Sequence, residues 1–148
     1  MTGWKIGYCI APEYLSNELR KLHQFLTFST STPMQLAIAD MMIEKPDYPR
    51  ELASMYQAKR DCFVEALSES RLKVVPCHGT YFQLLDYSAV SDLDDMAFTR
   101  WLTEEHKVAT IPISPFCVPA IPEYRYIRCC FAKSEETLRS VAERLSKL

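Results

Sequence analysis

Two cationic residues set in otherwise apolar segments are where this sequence could do chemistry. Arg128 interrupts the run Tyr126-Ile127-Arg128-Cys129-Cys130-Phe131. A guanidinium in a buried strand is costly unless something answers its charge, so it requires an acidic partner within the chain or a cleft open to an anion. Its planar fork fits a carboxylate, which leaves an internal ion pair and a ligand's acid group as the two readings. Lys5, in Trp4-Lys5-Ile6-Gly7-Tyr8, poses the same question. Phosphate is one possible partner, and the other reading is a strand-end lysine whose stem lies on apolar surface while its head reaches water.

The remaining polar groups suggest less. His23, His78 and His106 have no partner at catalytic or metal-ligand spacing and read as surface or capping residues. Asp94-Asp95 and Glu104-Glu105 lie at the two ends of one expected helix; the first pair suits the positive end of the helix dipole and reads as solvated, and the second faces water. No glycine-rich dinucleotide fingerprint, P-loop or nucleophile elbow occurs. The six cysteines are scattered through apolar runs without a CxxC pair, which favours buried, reduced thiols over bridges or a zinc site.

The elements that must position these residues follow from periodicity. Residues 4–12 read as a central strand, and Leu15, Leu19, Leu22 and Leu26 mark a helix from Glu13 to about Leu26. Thr32-Pro33 restarts a helix, with Thr32 as cap and Pro33 in the first turn, running to about Glu44. After a turn with two prolines, a long amphipathic helix runs to about Ser70. Residues 72–75 and 80–86 form an expected hairpin. Ser91 and Asp94 resemble a capping box before a helix that buries Met96, Phe98, Trp101 and Leu102. A strand at 108–111, a proline-rich loop at 112–122, a strand at 126–131 and a helix capped by Ser134 complete the chain. Strands alternate with helices from Leu72 onward, which predicts a two-layer α/β domain with a small sheet covered by helices on one face.

Composition sets the outer bounds. The 148 residues suffice for a compact core, and 48% apolar and 24% charged residues are typical of a soluble globular protein. A net charge of -2 offers no field for nucleic acid. Apolar runs of about half a dozen residues are too short to span a bilayer, and nothing after Met1 reads as a signal peptide.

Five short motifs, in order along nearly the whole chain, resemble the second part of class I pyridoxal-phosphate (PLP) aminotransferases of fold type I. They are Thr2-Gly3-Trp4-Lys5-Ile6-Gly7-Tyr8, His23-Gln24-Phe25-Leu26-Thr27-Phe28, Thr32-Pro33-Met34-Gln35, Gly79-Thr80-Tyr81-Phe82, and Tyr126 through Lys133. Within the family the sequence resembles most the bacterial methionine aminotransferases and the kynurenine and glutamine transaminases. The resemblance implies a cytoplasmic enzyme, homodimeric when complete, that exchanges an amino group between an amino acid and a 2-oxo acid with PLP as cofactor. It implies that residues 1–32 are a remnant of the PLP-binding large domain, with its last strand and long helix, and that residues 33–148 are the small domain. Lys5 then matches the residue that contacts the cofactor phosphate, and Arg128 the arginine that binds the substrate α-carboxylate. Phe28 and Ser29 match a loop lining the side-chain pocket across the dimer interface, Tyr81 a segment beside the substrate, and residues 112–116 a loop that approaches it. For Tyr81, core packing is the other reading. The lysine that bonds covalently to PLP matches a position upstream of Met1, so no catalytic residue is assigned within the chain.

Overall fold

A computed structural model describes residues 2–118 and 125–148. The chain divides into two compact units, Met1–Arg50 and Glu51–Leu148.

In the first unit, helix α1 spans Glu13–Leu26 and helix α2 spans Thr32–Glu44. The leucine spacing gave α1 its bounds. The cap of α2 is Ser31 rather than Thr32, and neither closes the helix start with a side-chain hydrogen bond; the proline in the first turn carries the restart instead. The expected strand at residues 4–12 is absent. A short 3-10 turn at Thr2–Trp4 is followed by irregular, mostly exposed chain, with Ile10 90% accessible. The reason is physical: a central strand needs neighbours to take up its amides and carbonyls, and this unit contains no other strand among the described residues.

The second unit is the expected two-layer α/β arrangement. Helix α3 (Tyr48–Ala66) leads into strands β1 (Lys73–Val74) and β2 (Phe82–Asp86), then helix α4 (Asp95–His106), strands β3 (Ile111–Pro112) and β4 (Tyr126–Cys130), and helix α5 (Glu135–Leu145). The sheet is antiparallel throughout, in the order β1-β2-β4-β3. The hairpin expected from residues 72–86 is the β1-β2 pair. The strand expected at 108–111 is found at Ile111–Pro112, starting three residues later, and Val108 is a buried core residue. Of the proline-rich stretch, residues 119–122 lie outside the described residues.

Alternation builds the core. In β2 and β4 every second residue is buried, so Leu85, Ile127 and Cys129 face inward and meet Phe63 and Leu67 of the α3 segment, Phe98 and Leu102 of α4, and Leu138, Ala142 and Leu145 of α5. Tyr87 stacks on Phe98 with ring centroids 4.0 Å apart, and its hydroxyl donates to the Leu93 carbonyl at 3.0 Å. Burial, with the Asp95 charge nearby, pushes the Tyr87 hydroxyl up to about 12, so it stays protonated as the donor that carbonyl needs. Met96, expected in the core, is exposed, and Trp101 is half-buried with His106 edge-on against it. All six cysteines are free, but only Cys62 and Cys129 are buried; Cys9 is exposed and the other three are intermediate. No helix among the described residues is long and apolar enough to cross a membrane.

Candidate functional site

The period of two that buries Ile127 and Cys129 places Arg128 on the opposite face of β4. Its backbone pairs with Leu84 on one side and Ile111 on the other, so Arg128 sits inside the sheet rather than at its edge. Two residues along β2, Phe82 is its diagonal neighbour, within reach of a long side chain. The Arg128 guanidinium carbon lies 4.2 Å from the centre of the Phe82 ring and 5.0 Å from that of Phe116. Each ring face attracts the cation, by about 0.5–1 kcal/mol at an open site and more where water is excluded. The Arg128 Nε is buried with no acceptor in reach, and the side chain makes no ion pair among the described residues. Of the two readings of Arg128, no internal ion pair is found among the described residues. Two rings flank the guanidinium.

Phe116 reaches this site from a 3-10 turn, Ser114–Phe116, and that turn is held by Asp95. The carboxylate accepts from the Ile113 amide at 2.7 Å, the Ser114 amide at 2.6 Å and the Ser114 hydroxyl at 2.8 Å. Asp95 is only 6% exposed, which corrects the expectation of a solvated acidic pair. Asp94 alone behaves as a helix-start residue: it is the N-cap of α4 and accepts from the Ala97 amide at 2.8 Å. Ser91, expected to share that cap, instead accepts from the Leu93 amide. Burial pushes the Asp95 carboxyl up, but the Ser114 amide and hydroxyl and the Ile113 and Met96 amides outweigh it, so the group is held below the usual carboxylate range.

Tyr81 stands one ring away from the guanidinium. Its ring lies 4.4 Å from that of Phe82 and 5.9 Å from that of Tyr56, and it packs against the edge of the core. Thr80 before it has φ 62°, a left-handed conformation that a β-branched residue adopts only when its surroundings impose it.

The other sequence-identified residues lie in the first unit. Lys5 (φ 53°) and Phe28 (φ 63°) are both left-handed non-glycine residues, the only two in that unit among the described residues. Phe28 is 88% exposed, and the Ser29 hydroxyl donates to the Thr30 carbonyl at 3.4 Å. Lys5 is exposed, and its ammonium has no hydrogen-bond or ion-pair partner among the described residues. One free ammonium fits one contact to a phosphate dianion, the end of PLP that asks for positive charge. Beside it, Ile6, Gly7 and Tyr8 border an apolar groove of about 250 Å³ completed by Thr30, Gln35 and Met42. Arg128, Phe82, Phe116 and Tyr81 thus form one group, and Lys5, Phe28 and Ser29 belong to another unit.

Sequence reasoning missed two contributors. Phe82 appeared only as a motif member, although an aromatic two residues before the partner of a strand arginine is a readable signal. Asp95 gave none, since its burial depends on a turn 18 residues away.

Known proteins share this sequence and fold. The sequence matches the family described as aminotransferase class I and II over residues 1–145. It is 57% identical to the methionine aminotransferase of Escherichia coli, covering all of this chain and 38% of that protein. It is 36% identical to a kynurenine–oxoglutarate transaminase of Dictyostelium discoideum, covering all of this chain and 39% of that protein. The fold superimposes on the solved E. coli methionine aminotransferase with a TM-score of 0.84, covering 39% of it. It also superimposes on N-succinyldiaminopimelate aminotransferase of Mycobacterium tuberculosis at 33% identity with a TM-score of 0.81, covering 99% of this chain and 38% of that one. The chain therefore spans under two fifths of the length of these relatives, and it belongs to the aminotransferase class I and II family.

Proposed function

We propose that this chain is the C-terminal portion of a PLP-dependent aminotransferase that exchanges an amino group between an amino acid of methionine or aromatic type and a 2-oxo acid. The observation that carries this reading is the Arg128 guanidinium, clamped between Phe82 and Phe116 with no acidic partner among the described residues. Both substrates of such a reaction share a carboxylate beside the reacting carbon, and a fixed planar fork grips it through two parallel hydrogen bonds.

The chain's own residues bind and orient. Arg128 holds the carboxylate and so fixes the substrate's distance and rotation, which converts an encounter into a positioned reactant. Phe116, exposed beside the fork, offers an apolar surface to a thioether or aromatic side chain, and Tyr81 backs Phe82 from behind. Lys5 supplies positive charge for the PLP phosphate, and Phe28 and Ser29 line the side-chain pocket of a partner subunit in a cytoplasmic homodimer. PLP, once bound, supplies the electron sink that lets the substrate's α-carbon give up its proton. In this reading residues 1–32 continue the cofactor-binding large domain and residues 33–148 are the small domain. The covalent lysine belongs to sequence outside these 148 residues, so the chain alone does not turn over.

A chimera tests the reading. Joining this chain to the preceding portion of E. coli methionine aminotransferase should yield an enzyme that transaminates methionine, while the isolated 148 residues remain inactive with PLP. A folded, PLP-loaded chimera without transaminase activity would sink the reading, and turnover by the isolated chain would sink its claim of incompleteness.

A further inference from the structure

The strongest unexplained group in the second unit is the buried Asp95 carboxylate. It does not cap its own helix, because Asp94 does that, and it makes no ion pair among the described residues. Its three hydrogen bonds beyond its own helix all go to residues 113 and 114, at the start of the turn that ends in Phe116. Phe116 is 64% exposed, so core packing does not set the position of its ring. What sets it is the backbone: Phe116 donates to the Ile113 carbonyl at 2.9 Å, Cys117 donates to the Ser114 carbonyl at 3.1 Å, and Pro115 fixes φ between them. The first amides of a helical turn have no partner within the turn, and here Asp95 is that partner.

We propose that Asp95 is a positioning residue for the carboxylate site: by anchoring the 113–116 turn it holds the Phe116 ring over the Arg128 guanidinium and so fixes the plane of the fork before an anion arrives. This rests on the reading of Arg128 given above. The guanidinium has no hydrogen bond of its own among the described residues, and the contacts that orient it there are the two rings. One ring, Phe82, is built into β2. The other is exposed, on a turn that Asp95 anchors through three hydrogen bonds. Releasing the tether leaves the charge in place but lets the fork rotate, so an anion must then pay for ordering it.

The test uses the full 148-residue chain labelled with ¹⁵N and titrated with 4-methylthio-2-oxobutanoate, following the Arg128 Nε–H resonance identified by its loss in Arg128→Lys. In the unaltered chain the resonance should move and saturate. Asp95→Asn should shift it even without the oxo acid, because a ring 5.0 Å away has moved. The same change should weaken binding about 3- to 10-fold. Ser114→Ala should weaken it less. Asp94→Ala, which removes the cap and lowers the thermal midpoint, should leave affinity within twofold. Unchanged affinity and an unchanged Arg128 resonance in Asp95→Asn would overturn the proposal while leaving the carboxylate site intact. So would an equal loss of affinity in Asp94→Ala, which would make the effect one of general stability. If Asp95→Asn does not fold, Ser114→Ala decides, and unchanged affinity there overturns the proposal. Absence of any oxo-acid effect on Arg128 in the unaltered chain removes the site itself, and this inference with it.

Discussion

The guanidinium of Arg128 on β4 lies 4.2 Å from the centre of the Phe82 ring on the adjacent strand, and Arg128 makes no ion pair among the described residues. Ordinary sheet pairing produces this relationship. Phe82 pairs with Cys130 and Leu84 with Arg128, so the ring and the fork are diagonal neighbours on one face.

That pairing makes Phe82→Leu informative. It keeps apolar volume and removes the ring face, so the chain should remain folded while carboxylate affinity falls about 3- to 10-fold, the worth of about 0.5–1.5 kcal/mol. Chimera KM values for methionine, with circular dichroism as the fold check, measure it. An unaltered KM would mean that the ring does not hold the fork.

Asp95 predicts a pH dependence of stability. Its folded carboxyl titrates below its unfolded value near ~3.9, so the stability it contributes is present above that value and lost as the pH falls through the folded one. Asp95→Asn should therefore be less stable than the unaltered chain by about 1–3 kcal/mol at neutral pH. Urea midpoints should show the gap narrowing below about pH 4. A gap of constant size at acid pH would contradict the charge-assisted anchor.

Phe98 joins helix and sheet by stacking on Tyr87, and both are fully buried. Phe98→Ala should cost about 3–5 kcal/mol, through lost burial and the cavity left behind. Chemical denaturation followed by tyrosine fluorescence would read it. A loss below about 1 kcal/mol would mean that the two layers are not held together at this point.

Much of the fold was legible in the sequence because its signals are local. The leucine period sets helix α1, Ser134 caps α5 by accepting from the Thr137 amide, and the hairpin at 72–86 announces itself by its turn and its apolar flanks. Arg128 was legible for the same reason: a charge inside an apolar strand contradicts its surroundings. What failed depends on contacts remote in sequence. Residues 4–12 have a strand's composition but no strand beside them in their unit, and composition cannot supply one. Asp95 looks like a dipole partner from its place beside Asp94, and only the turn at residues 113–114 turns it into a buried anchor. The left-handed backbone at Lys5, Phe28 and Thr80 had no sequence signal at all, since none is glycine.

The account turns on Arg128 receiving a substrate's acid group, and the most direct measurement compares L-methionine with L-methioninamide as amino donors in the chimera. The two differ in whether a carboxylate is present, and a bidentate charged contact is worth about 1.5–3 kcal/mol, or roughly 10- to 100-fold. The prediction is a preference of that size for methionine, abolished by Arg128→Gln through loss of the acid alone, with the amide turned over as before. A preference that survives Arg128→Gln unchanged would contradict it.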